Sequence, residues 1–136
     1  MMKRITVSIV LSIFLISSNS PVFSQTINEA DTKLCETLKY ALINSLRDPI
    51  DKAISEIYQD DENVPEGLTW ASYATEILKI KQSNGVGGAY EITLKVYPYY
   101  RAHINYGEDI IVVSADGKLI DYQHLKTYPI IEYSRN

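Results

Sequence analysis

The sequence is short of several things that stabilise small proteins or arm them chemically. It holds one cysteine in 136 residues, so no disulfide can close within the chain and the fold must stand on its core. It holds two histidines and no HxH, HExxH or CxxC spacing, which leaves a dedicated metal site without its ligand pattern. Cationic charge is scarce: thirteen Lys and Arg stand against seventeen Asp and Glu. A net charge of −4 argues against a nucleic-acid binder, which needs a cationic face for phosphates. No apolar run reaches the roughly 20 residues that span a bilayer as a helix.

What is present begins with a basic start, Met1-Met2-Lys3-Arg4, followed by an apolar run over residues 5–16 and a polar Ser17-Ser18-Asn19-Ser20. This is the pattern of a signal peptide rather than of a permanent membrane span. Val22 and Ser24 put small side chains at the −3 and −1 positions of a cleavage between Ser24 and Gln25. The expectation is a signal peptide over residues 1–24 and a single secreted or wall-associated domain over 25–136, with a core over about 28–126 and a tail over 127–136. Cys35 lacks the preceding apolar and small residues of a lipoprotein signal. Without Lys3 and Arg4, eleven cations face seventeen acids, so the 112 residues that remain carry −6. They contain no Phe and no Met, and their aromatics are Trp70 and eleven Tyr.

Over residues 27–46 the apolar positions Ile27, Ala30, Leu34, Leu38, Ala41, Leu42 and Leu46 recur at three and four, one face of a helix with Asn28 as its N-cap. Cys35 falls in this helix, where a packed or half-buried thiol is expected and intermolecular pairing stays open. Asp48-Pro49-Ile50-Asp51 reads as a second helix start, continued by Ala53, Ile54, Ile57 and Tyr58; the two helices could equally be one with a kink. Residues 59–67 are loop chemistry. The period then becomes two: residues 76–82 and 90–96 form a hairpin through the Gly-rich residues 83–88, and residues 110–113 and 119–122 form another through Ala115-Asp116-Gly117-Lys118. The pattern predicts an α+β domain, with a helix pair or one kinked helix packed on an antiparallel meander of about four strands.

Of the local motifs, Gly85-Val86-Gly87-Gly88 joins two strands, whereas a phosphate loop joins a strand to a helix. Asp60-Asp61-Glu62-Asn63 lacks the alternating ligands of a calcium loop. No Ser, His and Asp with a hydrolase signature appear. His103 and His124 could approach Glu108, Asp109 and Asp121 if the loop before the third strand folds toward the end of the fourth. The densest unusual feature lies between strands at residues 96–107. There Tyr97, Tyr99, Tyr100, Arg101, His103, Asn105 and Tyr106 make a composition suited to contacting a peptide, glycan or protein; the alternative is that these rings cap an open end of the core.

Several strings, in order, resemble a family of small exported proteins of spore-forming Gram-positive bacteria that is known only as a domain of unknown function. They are Leu46-Arg47-Asp48-Pro49-Ile50-Asp51-Lys52-Ala53-Ile54 closed by Tyr58, residues 74–81 (ATEILKIK), residues 90–96, residues 102–110 (AHINYGEDI) and residues 117–124 (GKLIDYQH). The family's loop carries two prolines before Tyr-Gly where this chain reads His103-Ile104-Asn105-Tyr106-Gly107. The resemblance implies export and a small α+β domain, similar to cystatin-like folds, and brings no activity, cofactor or catalytic residue.

The expectation is therefore a non-enzymatic, secreted or wall-associated binding module that uses its exposed sheet face and Tyr-rich loop on an unknown protein, peptide or wall component, with no cofactor. A small-molecule pocket or weak enzyme using His103 or His124, and a structural envelope or spore protein, are the alternatives.

Overall fold

The structure, a computed structural model, describes residues 29–131. The expected signal segment, the expected cleavage between Ser24 and Gln25 and the expected N-cap Asn28 lie outside those residues. Helix α1 spans Glu29–Ser45 and α2 spans Arg47–Tyr58. Pro49 causes the break between them, since its nitrogen cannot donate to the Ser45 carbonyl and its ring crowds that oxygen. The chain turns at Leu46, whose N–H donates to Ile43 O at 3.2 Å and whose carbonyl accepts from Ile50 at 3.2 Å. The second helix thus begins at Arg47, one residue ahead of the expected cap, and Asp48 sits in its first turn.

A 3₁₀ turn, Ser72–Ala74, leads into β1 (Glu76–Ser83) and β2 (Ala89–Val96). Two short strands, β3 (Tyr99–Tyr100) and β4 (Ile104–Asn105), form a separate small hairpin, followed by β5 (Gly107–Ser114) and β6 (Leu119–Thr127). The main sheet is the expected antiparallel meander, in the order β1-β2-β5-β6. Strict alternation buries Ile92, Leu94 and Val96 of β2 and Gly107, Asp109, Ile111 and Val113 of β5 on one face. Helix α2 covers that face over β5 and β6 and sinks Ile50, Ala53, Ile54 and Tyr58 into it.

Both edge strands carry bulges. The register places one extra residue, Leu78, in β1 and two, Ile120 and Leu125, in β6. All three are exposed apolar side chains. Bulges twist edges away from further pairing, and each also reverses which face the following residues occupy.

Three expectations need correction. The apolar stripe of the helices was expected to cover one sheet face, but in α1 Leu34 and Leu38 are 56% and 58% exposed, and only Leu42 and Ile43, with Leu46 after them, join the core. The break ahead of Pro49 turns α2 onto the sheet and leaves α1 packed on α2 and the 3₁₀ turn. Cys35, on the same outlying part of α1, is exposed rather than packed. Residues 98–107, expected to break the strands, contain the β3–β4 hairpin and the first residue of β5. Beyond Thr127 the chain ties to that hairpin, through Tyr128 N–H to Tyr106 O at 2.7 Å and Ile131 N–H to the Tyr100 hydroxyl at 3.0 Å.

Candidate functional site

The end of the sheet where β5 begins and β6 finishes is polar inside. Asp109 is 0% exposed, placed on the core face by the alternation that buries Ile111 and Val113. A carboxylate there must be fully partnered. Its Oδ2 accepts the Tyr58 hydroxyl at 2.9 Å and its Oδ1 lies 2.7 Å from Nδ1 of His124, its register partner on β6. Nε2 of His124 lies 2.8 Å from the Thr127 hydroxyl. Burial pushes the Asp109 carboxyl above its usual range, against the pull of His124 and Tyr58, and raises the Tyr58 hydroxyl strongly.

Two backbone features build this chain. Without the Leu125 bulge, residues 124 and 127 would face opposite sides of the sheet; with it, Thr127 stands opposite Gly107 on the face of His124. Gly107 in turn leaves room for Tyr58, since a Cβ there would sit 1.7 Å from the Tyr58 hydroxyl oxygen. The Tyr58 ring lies edge-on to His124 and tilted against Tyr106, each with centroids 5.5 Å apart. Tyr106 donates to Asp61 Oδ2 at 2.6 Å. Burial and that acid push its hydroxyl up to about 12, while the same bond and the Asn63 N–H hold Asp61 below the usual carboxylate range.

A cleft of about 690 Å³ opens beside the cluster, lined by Asp61, Asn63, Tyr106, Thr127, Tyr128, Pro129 and Ile130. A second, of about 440 Å³, is lined by residues 62–66, Tyr100, Arg101 and Ile130, and so meets the first at Asn63 and Ile130. A third, of about 510 Å³, is lined by residues of α2 with Leu68, Thr69 and Trp70. In its wall Trp70 donates to Asp51 at 2.5 Å and carries the Arg47 guanidinium 4.7 Å above its ring. Among the described residues no group of His, Cys, Asp and Glu is arranged to hold a metal ion.

The structure divides the Tyr-rich segment. Tyr100 and Tyr106 are 1% and 2% exposed and belong to the core, as the capping alternative held. Tyr97 is half-buried on the outer sheet face, donating to Glu76 at 2.7 Å. Tyr99 bridges to Thr69 through two backbone bonds of 2.7 and 2.9 Å and lays its ring 4.6 Å from that of His103. Arg101, His103 and Asn105 are exposed. Arg101 and His103 hold φ of +51° and +61°, a region side chains other than glycine rarely occupy and one that neighbouring contacts must enforce. The Tyr73 hydroxyl, 3.0 Å from His103 Nδ1, is one such contact. His103 and His124 make separate hydrogen-bond sets, and only His124 meets Asp109. Sequence reasoning missed Tyr58, Asp61, Gly107 and Thr127; extending the alternation of Ile111 and Val113 back two residues would have put Asp109 inside.

The outer sheet face carries paired ions, Lys95 to Glu108 at 2.9 Å and Lys81 to Glu91 at 3.9 Å. Among the described residues no helix is long and apolar enough to cross a membrane.

A helix pair laid on a four-stranded antiparallel meander, with a buried Tyr, Asp and His cluster at one end, defines a small α+β domain. Its family is that of the proteins of unknown function DUF3888, to which the chain belongs, the family's model matching residues 38–126. No curated protein and no solved structure matches the chain.

Proposed function

We propose that the protein is an exported binding module that takes its ligand where the β3–β4 hairpin, the acidic loop over residues 59–67 and the segment after β6 converge. The observation that carries this reading is the pair of clefts meeting at Asn63 and Ile130, the smaller of them lined by Arg101, whose backbone holds a φ of +51°. A preformed concave surface with a few polar groups suits a ligand, and a rim already ordered costs less to fix on binding. The basic, then apolar, then small-residue N-terminus supports export, which makes an envelope component or an extracellular peptide the natural ligand class.

Two measurements test the reading. The protein recovered from the medium or wall of an expressing Gram-positive host is expected to begin at Gln25. In NMR titrations with soluble muropeptides and with wall-derived peptides, amide shifts are expected at Asn63, Arg101, His103 and Ile130 and are lost in the R101A/H103A variant. Retention of residues 1–24, or shifts confined to the β1–β2 hairpin, would sink it.

A further inference from the structure

Three side chains of this end stand in the order that nucleophilic hydrolases use. Thr127 Oγ1 is 2.8 Å from His124 Nε2, His124 Nδ1 is 2.7 Å from Asp109 Oδ1, and Asp109 is wholly buried. A carboxylate facing Nδ1 holds the proton there and leaves the Nε2 lone pair to accept from a hydroxyl, the tautomer a general base needs. The outer member of the chain is exposed and lines the larger cleft, while the inner ones are positioned by Tyr58, for which Gly107 leaves room. Asn63 lines the same cleft; its backbone N–H donates to Asp61, and its side-chain amide has no bond of its own among the described residues.

The geometry points to an ester hydrolase site in which Thr127 is the nucleophile, His124 the base, Asp109 and Tyr58 positioning residues, and Asn63 a donor to the developing oxyanion. The inference rests on the reading of this cleft as a ligand site and adds a reaction to it. Thr127 Oγ bonds to the ester carbonyl carbon as its proton passes to His124 Nε2, and the carbonyl π pair moves onto oxygen beside Asn63. Collapse of that adduct breaks the bond to the alkoxy group, which leaves as an alcohol with the proton from His124. Water, deprotonated by His124, then attacks the acyl-Thr127 ester. The acid is released and Thr127 recovers its proton, so one ester and one water become one carboxylic acid and one alcohol. Pro129 and Ile130 offer an apolar wall for a short acyl chain.

The probe is p-nitrophenyl acetate with the full-chain protein, followed by phenolate release and by peptide mass spectrometry for an acetyl group. Acetylation at Thr127 is expected, with release falling at least about 100-fold in T127A and H124A. T127S should retain the adduct. D109N, if it acts by positioning, should shift the pH profile of release while its circular dichroism stays unchanged. Acetyl groups confined to lysines, or equal release by T127A, would overturn the assignment. Ligand-induced amide shifts at Asn63 and Ile130 that persist in T127A while release is absent in the wild type would discard the reaction and keep the binding site; loss of both would discard the two together.

Discussion

The two halves of the core are built on different physics. Toward the middle of the sheet, Ile92, Leu94, Ile111 and Val113 meet Ile50 and Ile54 of α2, an aliphatic layer in which any well-filled arrangement is nearly as good as another. At the β5 entrance the layer becomes Tyr58, Tyr106, Asp109 and His124, joined by directed hydrogen bonds as well as by ring contacts. The aliphatic half supplies the driving force through its buried area. The polar half contributes less net stability, because each bond replaces one to water, yet it fixes a single geometry beside the clefts. Stability and specificity are thus separated along one sheet.

Substitutions in the aliphatic half should therefore cost most. Leu94→Ala and Ile111→Ala are each expected to destabilise by about 2–5 kcal/mol in urea unfolding, with the hydrogen bonds of Tyr58 intact by NMR. Tyr58→Phe, which leaves Asp109 Oδ2 buried without its hydroxyl, should cost about 1.5–3 kcal/mol. Gly107→Ala drives a methyl into that same hydroxyl and should cost about 1–3 kcal/mol. With the hydroxyl removed, the nearest atoms to the new methyl are Tyr58 Cζ at 3.0 Å and Lys126 O at 3.4 Å. The double variant should then cost less than the sum of its parts, by about 0.5 kcal/mol or more. Strict additivity would show that Gly107 is not there to admit Tyr58.

Acid should separate the halves without mutation. Asp61 is held low by the Tyr106 hydroxyl and Glu108 by the Tyr128 hydroxyl and Lys95. Carboxyls depressed in the fold stabilise it above their unfolded pKa, near 4, and that contribution is lost as pH falls through their lower folded values. Asp109, raised by burial, works in the opposite sense, since the folded state takes up its proton first. A fall in melting temperature below about pH 4 that D61N and E108Q flatten is expected, together with early broadening of Tyr106 resonances; equal sensitivity in those variants would break the comparison.

Much of the aliphatic half was legible in the sequence and much of the polar half was not. The spacing of Ile50, Ala53, Ile54 and Tyr58 and the alternation of Ile92, Leu94 and Val96 carry their own period, so helix, strand and buried face follow directly. Asp109 followed the same alternation but was read as a loop carboxylate, because the third strand was begun three residues late. The meeting of His124 with Thr127 had no local signal. It depends on one inserted residue, Leu125, and a bulge is a property of two paired strands rather than of either sequence alone. Tyr100 and Tyr106 show a related limit: composition marks a Tyr-rich loop, yet only the β3–β4 pairing decides which rings turn inward and which residues, Arg101 and His103, turn out.

The smallest effect belongs at the opposite end of the sheet, in the β1–β2 connection. Val86 is fully exposed there, between glycines at positive φ, with no side-chain neighbour to lose. Val86→Ser should change unfolding free energy by no more than about 0.5 kcal/mol, with no chemical-shift change at Asp109 or His124. Gly87→Ala in the same turn forces a Cβ onto a φ of +80° and should cost more than Val86→Ser although nothing lies within 4 Å of the new methyl. That contrast separates backbone strain from packing within one loop. If Val86→Ser instead cost as much as Tyr58→Phe, the exposed turn would be packing against something, and directed contacts would no longer distinguish the β5 entrance from the far end of the sheet.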